Sequence, residues 1–115
     1  MVLLIDRDDD FRQALVSSLT DDGHSVRAFG RPADVPPFAS FEGVTMLVLD
    51  YAVDGDDGLA LADRFHRVHP DVPVVMVAAY VSRHLEAEAG ARDFMTLRRK
   101  PVDYEDLARL LPPRH

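Results

Sequence analysis

The residues of this chain best suited to chemistry sit at the ends of short apolar runs. Asp6 closes VLLI (2 to 5) and is followed at once by Arg7, Asp8, Asp9 and Asp10. Asp50 closes TMLVL (45 to 49) and leads into the acidic loop YAVDGDDG, while Lys100-Pro101 follows the run that begins FMTL (94 to 97). Carboxylates so placed can ligate a hard cation, act as ionised nucleophiles or carry protons. An amine or a guanidinium beside them favours their ionised forms, and Arg7 is a permanent cation set among four carboxylates. Ala78 and Ala79 close a further run, VPVVMV (72 to 77), with two small side chains. Asp8 to Asp10 have a second use as cap and first-turn charges of a following helix, the alternative for Asp8 being a metal ligand.

Positioning these groups falls to an alternation of strands and helices. The runs VLLI, SVRAF (25 to 29), TMLVL, VPVVMV and FMTL are continuously apolar rather than alternating, which suits strands covered on both faces. Between the first two runs, FRQALVSSLTDDG sets Phe11, Leu15, Val16 and Leu19 on one helical stripe closed by Gly23. DGLALADRFHRVHP repeats the design with Asp56 or Asp57 as cap, a stripe of Leu59, Ala62, Phe65 and Val68, and Pro70 as stop. SRHLEAEAGAR and DYEDLARLL, the latter capped by Asp103, also read as helices. In RPADVPPFASFEG (31 to 43), Pro36 and Pro37 interrupt any continuous helix, so a short or irregular one is expected. The order is βα five times over, which points to an α/β flavodoxin-like doubly wound parallel sheet, for which strand order 2-1-3-4-5 is one common solution and the one expected here. In that topology the ends of strands one, three, four and five converge, bringing Asp6, Asp50, Ala78, Ala79 and Lys100 to one pocket.

Composition narrows the classes. At 115 residues the chain is expected to form one domain, 1 to 115. A net charge of −7 argues against a broad phosphate-binding surface, so no direct nucleic-acid partner is expected. No stretch approaches the roughly 18 apolar residues of a membrane span, and Met1 runs directly into a strand, so no membrane and a cytoplasmic location are expected. The absence of Cys excludes disulfides and thiolate metal sites.

Taken together, these motifs resemble the receiver domain of two-component response regulators over the whole chain. The strand-one acidic pair maps onto Asp6 and Arg7, and the phosphoacceptor onto Asp50. The loop after strand three ends in Asp57-Gly58-Leu59, the switch Thr/Ser falls on Ala78 with Ala79 after it, and the Lys-Pro pair falls on Lys100-Pro101. The resemblance implies phosphoryl transfer from a histidine kinase or phosphotransfer protein onto Asp50, with Lys100 contacting a phosphoryl oxygen. It also implies Mg²⁺ held by Asp6, Asp50 and the backbone carbonyl of Ala52. A partner protein, an output domain beyond this chain or a second copy docked through the last helices would then read the altered surface. The module accepts a phosphoryl group and is not expected to be an enzyme.

Three departures stand out. Arg7 replaces the second acidic residue with a cation, which should weaken Mg²⁺ binding. Ala78 has no hydroxyl to follow the phosphoryl group. Asp54 stands where the family often has Pro. GARDF (90 to 94) offers Phe94 as an aromatic switch, but counting without gaps from Ala78 to Lys100 places Leu97 there instead.

Other readings are carried beside this one. A receiver-like module working by protein binding alone, with Arg7 in the place of Mg²⁺, is the nearest alternative. Asp6-x-Asp8 after an apolar strand also resembles the nucleophile motif of haloacid-dehalogenase-type phosphatases, though no Gly-Thr follows Asp8 and Ala78-Ala79 supply no hydroxyl. A nucleotide- or flavin-binding domain of the same topology would need a Gly-rich or Ser/Thr-rich loop after strand one. His66 and His69, three apart on one helix, could bind metal but have no carboxylate partner in sequence, and Arg98-Arg99-Lys100 reads as a solvated edge or a partner surface.

Overall fold

The computed structural model describes residues 1 to 53 and 57 to 112. Strands β1 (Val2–Ile5), β2 (Val26–Phe29), β3 (Met46–Asp50), β4 (Val74–Ala78) and β5 (Met95–Arg99) form one parallel sheet in the order β2-β1-β3-β4-β5. This is the doubly wound order that the run-and-helix pattern predicts. The three inner strands are buried at every position, whereas the edge strands β2 and β5 are only partly so. That difference is why VLLI, MLVLD and VVMVA carry unbroken apolar runs.

Four helices flank the sheet: α1 (Asp9–Asp21), α2 (Gly58–Val68), α3 (Arg83–Gly90) and α4 (Tyr104–Leu110). Each begins on a side-chain cap. Asp8 accepts from the Phe11 N–H at 3.1 Å, Asp57 from Leu59 at 2.9 Å, Ser82 from Leu85 at 3.0 Å and Asp103 from Glu105 at 3.0 Å. After α1 the chain reverses at Gly23, whose φ of 86° lies in the left-handed region that glycine adopts without strain.

Strand alternation divides the interior in two. Leu3, Ile5, Leu47, Leu49, Val74 and Met76 point to the face packed by α2 and α3, with Phe65 and Leu85 among its buried residues. Val2, Leu4, Met46, Val48, Val75 and Val77 point to the other face, where Leu15, Leu19 and Leu107 bring in α1 and α4.

The crossover from β2 to β3 bears out the expected short, irregular helix, while the exposure of Val68 and the strand ends differ from the sequence-based expectation. The crossover from β2 to β3 has no α-helix. Two single-turn 3-10 helices, Pro32–Asp34 and Phe38–Ser40, stand there instead, on either side of Pro36-Pro37. The segment is pinned by buried Phe41, by Phe38 packed edge-on against Phe65, and by a 2.8 Å bond between His69 Nε2 and the Phe38 carbonyl. Val68, the last residue of α2, is 44% exposed, and Leu61 is buried in the core instead. Strands three and four each run one residue further than their apolar runs, and β5 extends to Arg99 through its pairing with Ala78. Asp54 and Asp56 lie outside the described residues, and Asp57 is the cap of α2.

Candidate functional site

The carboxyl ends of β1, β3, β4 and β5 meet at a cavity of about 440 Å³ lined by Asp50, Lys100, Arg7, Ala78 and Ala79 among others. Asp6 sits directly behind it, fully buried. Backbone and side-chain contacts fix both ends of that residue. Its N–H donates to the Phe29 carbonyl at 3.0 Å, extending the β1-β2 ladder, and its own carbonyl accepts from Arg12 Nη1 at 2.8 Å. Its Oδ1 accepts from the Asp8 N–H at 2.8 Å, so the turn into α1 is folded around the carboxylate.

Lys100 connects the two carboxylates. Its Nζ lies 2.9 Å from Asp6 Oδ2, 3.2 Å from Asp6 Oδ1 and 3.7 Å from Asp50 Oδ2. The contact to Oδ1 has hydrogen-bond geometry; Oδ2 is held by charge alone and has no hydrogen bond. The ammonium is also 4.6 Å from the centroid of the Phe11 ring, which covers it from the α1 side. The Lys100 N–H donates to the Ala78 carbonyl at 2.8 Å, and the Lys100-Pro101 peptide is cis.

Asp50 is 5% exposed, and its Oδ1 accepts from the Ala52 N–H at 3.2 Å. Burial pushes its carboxyl above the usual carboxylate range, and the negative charge of Asp6 pushes the same way. Lys100, the Ala52 N–H and Arg7 act in the opposite direction. Arg7 is exposed, lines the cavity, and among the described residues forms no ion pair within 4.0 Å. Its charge is felt at Asp50 without direct contact. Ala78 is buried at the end of β4 and presents only a methyl group, while Leu97 is half-buried on the β5 face that packs with Met76. Phe94 is committed elsewhere: it stacks on His66 with ring centroids 3.9 Å apart, at the amino end of β5.

Asp8 caps α1. His66 packs on Phe94, and His69 on Phe65 and the Phe38 carbonyl. Among the described residues no group of three or more His, Asp or Glu side chains converges on a metal position. The donors that remain are the carboxylates of Asp6 and Asp50, with a buried Asp6 Oδ2 lacking a hydrogen bond, and the main chain at Ala52. They fit a hard cation in type, opposed by the charges of Lys100 and Arg7. As a phosphatase nucleophile Asp6 is badly placed, being fully buried and paired with Lys100.

Tyr51 and Tyr80 also line the cavity, the latter 79% exposed, and Arg12 anchors the Asp6 backbone. The sequence reading missed all three. Tyr51 and Tyr80 carry a signal only through their positions after Asp50 and Ala78. Arg12 carries none, since its role depends on which carbonyl lies above α1. Gly58 has a steric role: a Cβ there would lie 2.6 Å from the Tyr51 carbonyl oxygen, so the start of α2 packs directly on the turn after Asp50.

Residues 2 to 111 match the family described as the response regulator receiver domain. The C4-dicarboxylate transport transcriptional regulatory protein DctD of Rhizobium meliloti is 30% identical over 97 residues, covering 82% of this chain and 21% of its own. The response regulator receiver protein CpdR of Brucella abortus is 26% identical over 106 residues, covering 92% and 88%. The chain thus spans about a fifth of DctD and most of CpdR. Among solved structures, a response regulator from Burkholderia pseudomallei with a phosphorylated aspartic acid, calcium ion and citrate superposes with a TM-score of 0.83 at 23% identity, covering 96% of this chain and 65% of that one. A CheY-like receiver domain protein from Methanospirillum hungatei gives 0.82 at 20% identity, covering 94% and 86%.

Proposed function

Since the chain belongs to the response regulator receiver domain family, we propose that it is a phosphorelay module whose phosphoacceptor is Asp50. One observation carries this reading: Asp50 ends β3 at the floor of an open cavity with Lys100 Nζ at 3.7 Å and Asp6 behind it. In the proposed reaction an Asp50 carboxylate oxygen bonds to the phosphorus of a phosphohistidine on a histidine kinase or phosphotransfer protein. The phosphorus–nitrogen bond breaks, and the departing imidazole nitrogen recovers a proton from water. Lys100 holds one phosphoryl oxygen while remaining paired with Asp6. Where a divalent cation binds, Asp6, Asp50 and the Ala52 carbonyl would hold it, weakly because of Arg7, and it would add positive charge beside the entering group. The chain accepts a phosphoryl group and does not turn over substrate. Its readout lies with a partner, a second copy or an output segment, consistent with DctD being a much longer transcriptional regulatory protein. Among the described residues no helix is long and apolar enough to cross a membrane.

The test is intact mass after incubation with a small phosphodonor and Mg²⁺. A gain of one phosphoryl group that disappears in Asp50→Ala is expected. No gain in the wild type, and none in Arg7→Asp with Mg²⁺, would sink the reading. The methyl group of Ala78, which offers no hydroxyl to a phosphoryl group, favours a second reading: a module that works through protein contacts without phosphorylation. An Asp50→Asn chain that retains full partner binding and signalling would select it.

A further inference from the structure

Lys100 is already committed, lying against both carboxylates and the Phe11 ring. Arg12 is committed too, to Asp9 and to the Asp6 carbonyl. Arg7 is the cation at the cavity with no ion pair among the described residues, yet its charge reaches Asp50. Its planar fork of donors suits two oxygens of a phosphoryl group, whereas a lysine offers a single point charge. Around the cavity stand three carboxylates, Asp6, Asp8 and Asp50, against the two cations Lys100 and Arg7. With Asp in place of Arg7 the balance would be four against one. That is a change of two charges, the charge of one divalent ion.

From this arrangement we infer that Arg7 binds the phosphoryl group beside Lys100, supplying the positive charge that lets it form and persist on Asp50 without a divalent cation. The inference rests on the Asp50 reading above and gives Arg7 a task within it. With acetyl phosphate as donor, an Asp50 oxygen bonds to phosphorus, the bond from phosphorus to the acetyl oxygen breaks, and acetate leaves with the electron pair. No proton transfer is needed. The incoming group brings further negative charge, which Arg7 meets bidentately at the cavity mouth. Ala78 and Ala79 add no side-chain donor to the cavity lining.

The experiment measures phosphoryl adduct by intact mass with acetyl phosphate, in EDTA and in Mg²⁺, for the wild type, Arg7→Ala, Arg7→Asp and Asp50→Asn. Tyrosine emission, with Tyr51 and Tyr80 at the cavity, reports Mg²⁺ binding by the unphosphorylated chains. The wild type should form adduct in EDTA at a rate within about two-fold of that in Mg²⁺. Arg7→Ala should lose roughly ten- to a hundred-fold in EDTA, the range set by one charge-assisted contact. Arg7→Asp should bind Mg²⁺ more tightly than the wild type and form adduct only with it. Wild-type adduct that requires Mg²⁺, or EDTA rates unchanged in Arg7→Ala, overturns the role of Arg7 and leaves Asp50 as phosphoacceptor. Adduct in Arg7→Asp with Mg²⁺ but none in the wild type makes Arg7 an obstacle and also overturns it. No adduct in any chain, or adduct that survives in Asp50→Asn, overturns the phosphoacceptor reading and this inference together.

Discussion

Asp50 is ionised at a price set by its surroundings. Burial first, and the charge of Asp6 second, raise its pKa in the folded chain above the ordinary carboxylate value of about 4. The folded state therefore holds its proton to a higher pH than the unfolded state does. Stability falls as pH rises from the ordinary range through the raised value, and at neutral pH the ionised Asp50 is a destabilising charge. Asp50→Asn removes it while Lys100 keeps Asp6 at 2.9 Å. Thermal unfolding should show a higher Tm for Asp50→Asn than for the wild type at pH 7, with the gap narrowing as pH falls toward about 4. A gap that ignores pH, or a lower Tm for the variant at pH 7, would contradict this assignment of the strain. Asp6 and Asp50 were legible in the sequence because each ends an apolar run with a charge, and Lys100 because it stands in a Lys-Pro pair after the last strand. That Arg7 has no ion pair among the described residues was not, since neighbouring residues in sequence say nothing of where a long side chain on a turn comes to rest.

At the scale of elements, the turn after β3 and the start of α2 act as one unit. The Asp57 cap and the missing Cβ of Gly58 let the helix approach the Tyr51 backbone, and Tyr51 in turn donates to the Val77 carbonyl at 2.9 Å. Gly58→Ala must displace backbone rather than a pliable side chain, a strain of about 1 to 3 kcal/mol. Urea unfolding of Gly58→Ala should show that loss, together with altered tyrosine emission from the cavity. An unchanged midpoint would mean the contact relaxes freely. The helix starts at Asp8, Asp57 and Asp103 were readable because acidic cap candidates stand before helical stripes, whereas the Ser82 cap of α3 was not singled out. The crossover over residues 31 to 43 was readable only as an interruption: proline forbids a continuous helix without dictating two 3-10 turns, which depend on Phe38 meeting Phe65. Val68 misled because periodicity marks the inner face of a helix without saying what its last residue, here Val68, meets.

For the whole molecule, the sheet is a shared wall between two cores. Leu85 belongs to the face of α2 and α3, and Leu107 to that of α1 and α4, both nearly inaccessible. Each truncation to Ala should cost about 2 to 5 kcal/mol. Because both cores rest on the same inner strands, each variant should unfold in one urea transition with a lowered midpoint and an unchanged slope. A second transition in either variant would show that one layer can melt while the other stands. The parallel sheet was legible at this scale because both-face burial leaves the inner strands as runs with no polar interruption; the strand order followed only as one common arrangement of such sheets.

The crossover between β2 and β3 has one further consequence. Its two short turns contribute few hydrogen bonds of their own, and it is fastened mainly by Phe38, Phe41 and His69. A segment so attached is expected to open before the strand ladder does. A protease at low dose should therefore nick the chain first within residues 31 to 40. The two fragments should stay together through the β1-β2 and β1-β3 pairings, keeping Asp6, Asp50 and Lys100 in place. The weakest part of the backbone would then be a natural seam, at which the chain could be cut or lengthened while the acidic pocket remains assembled.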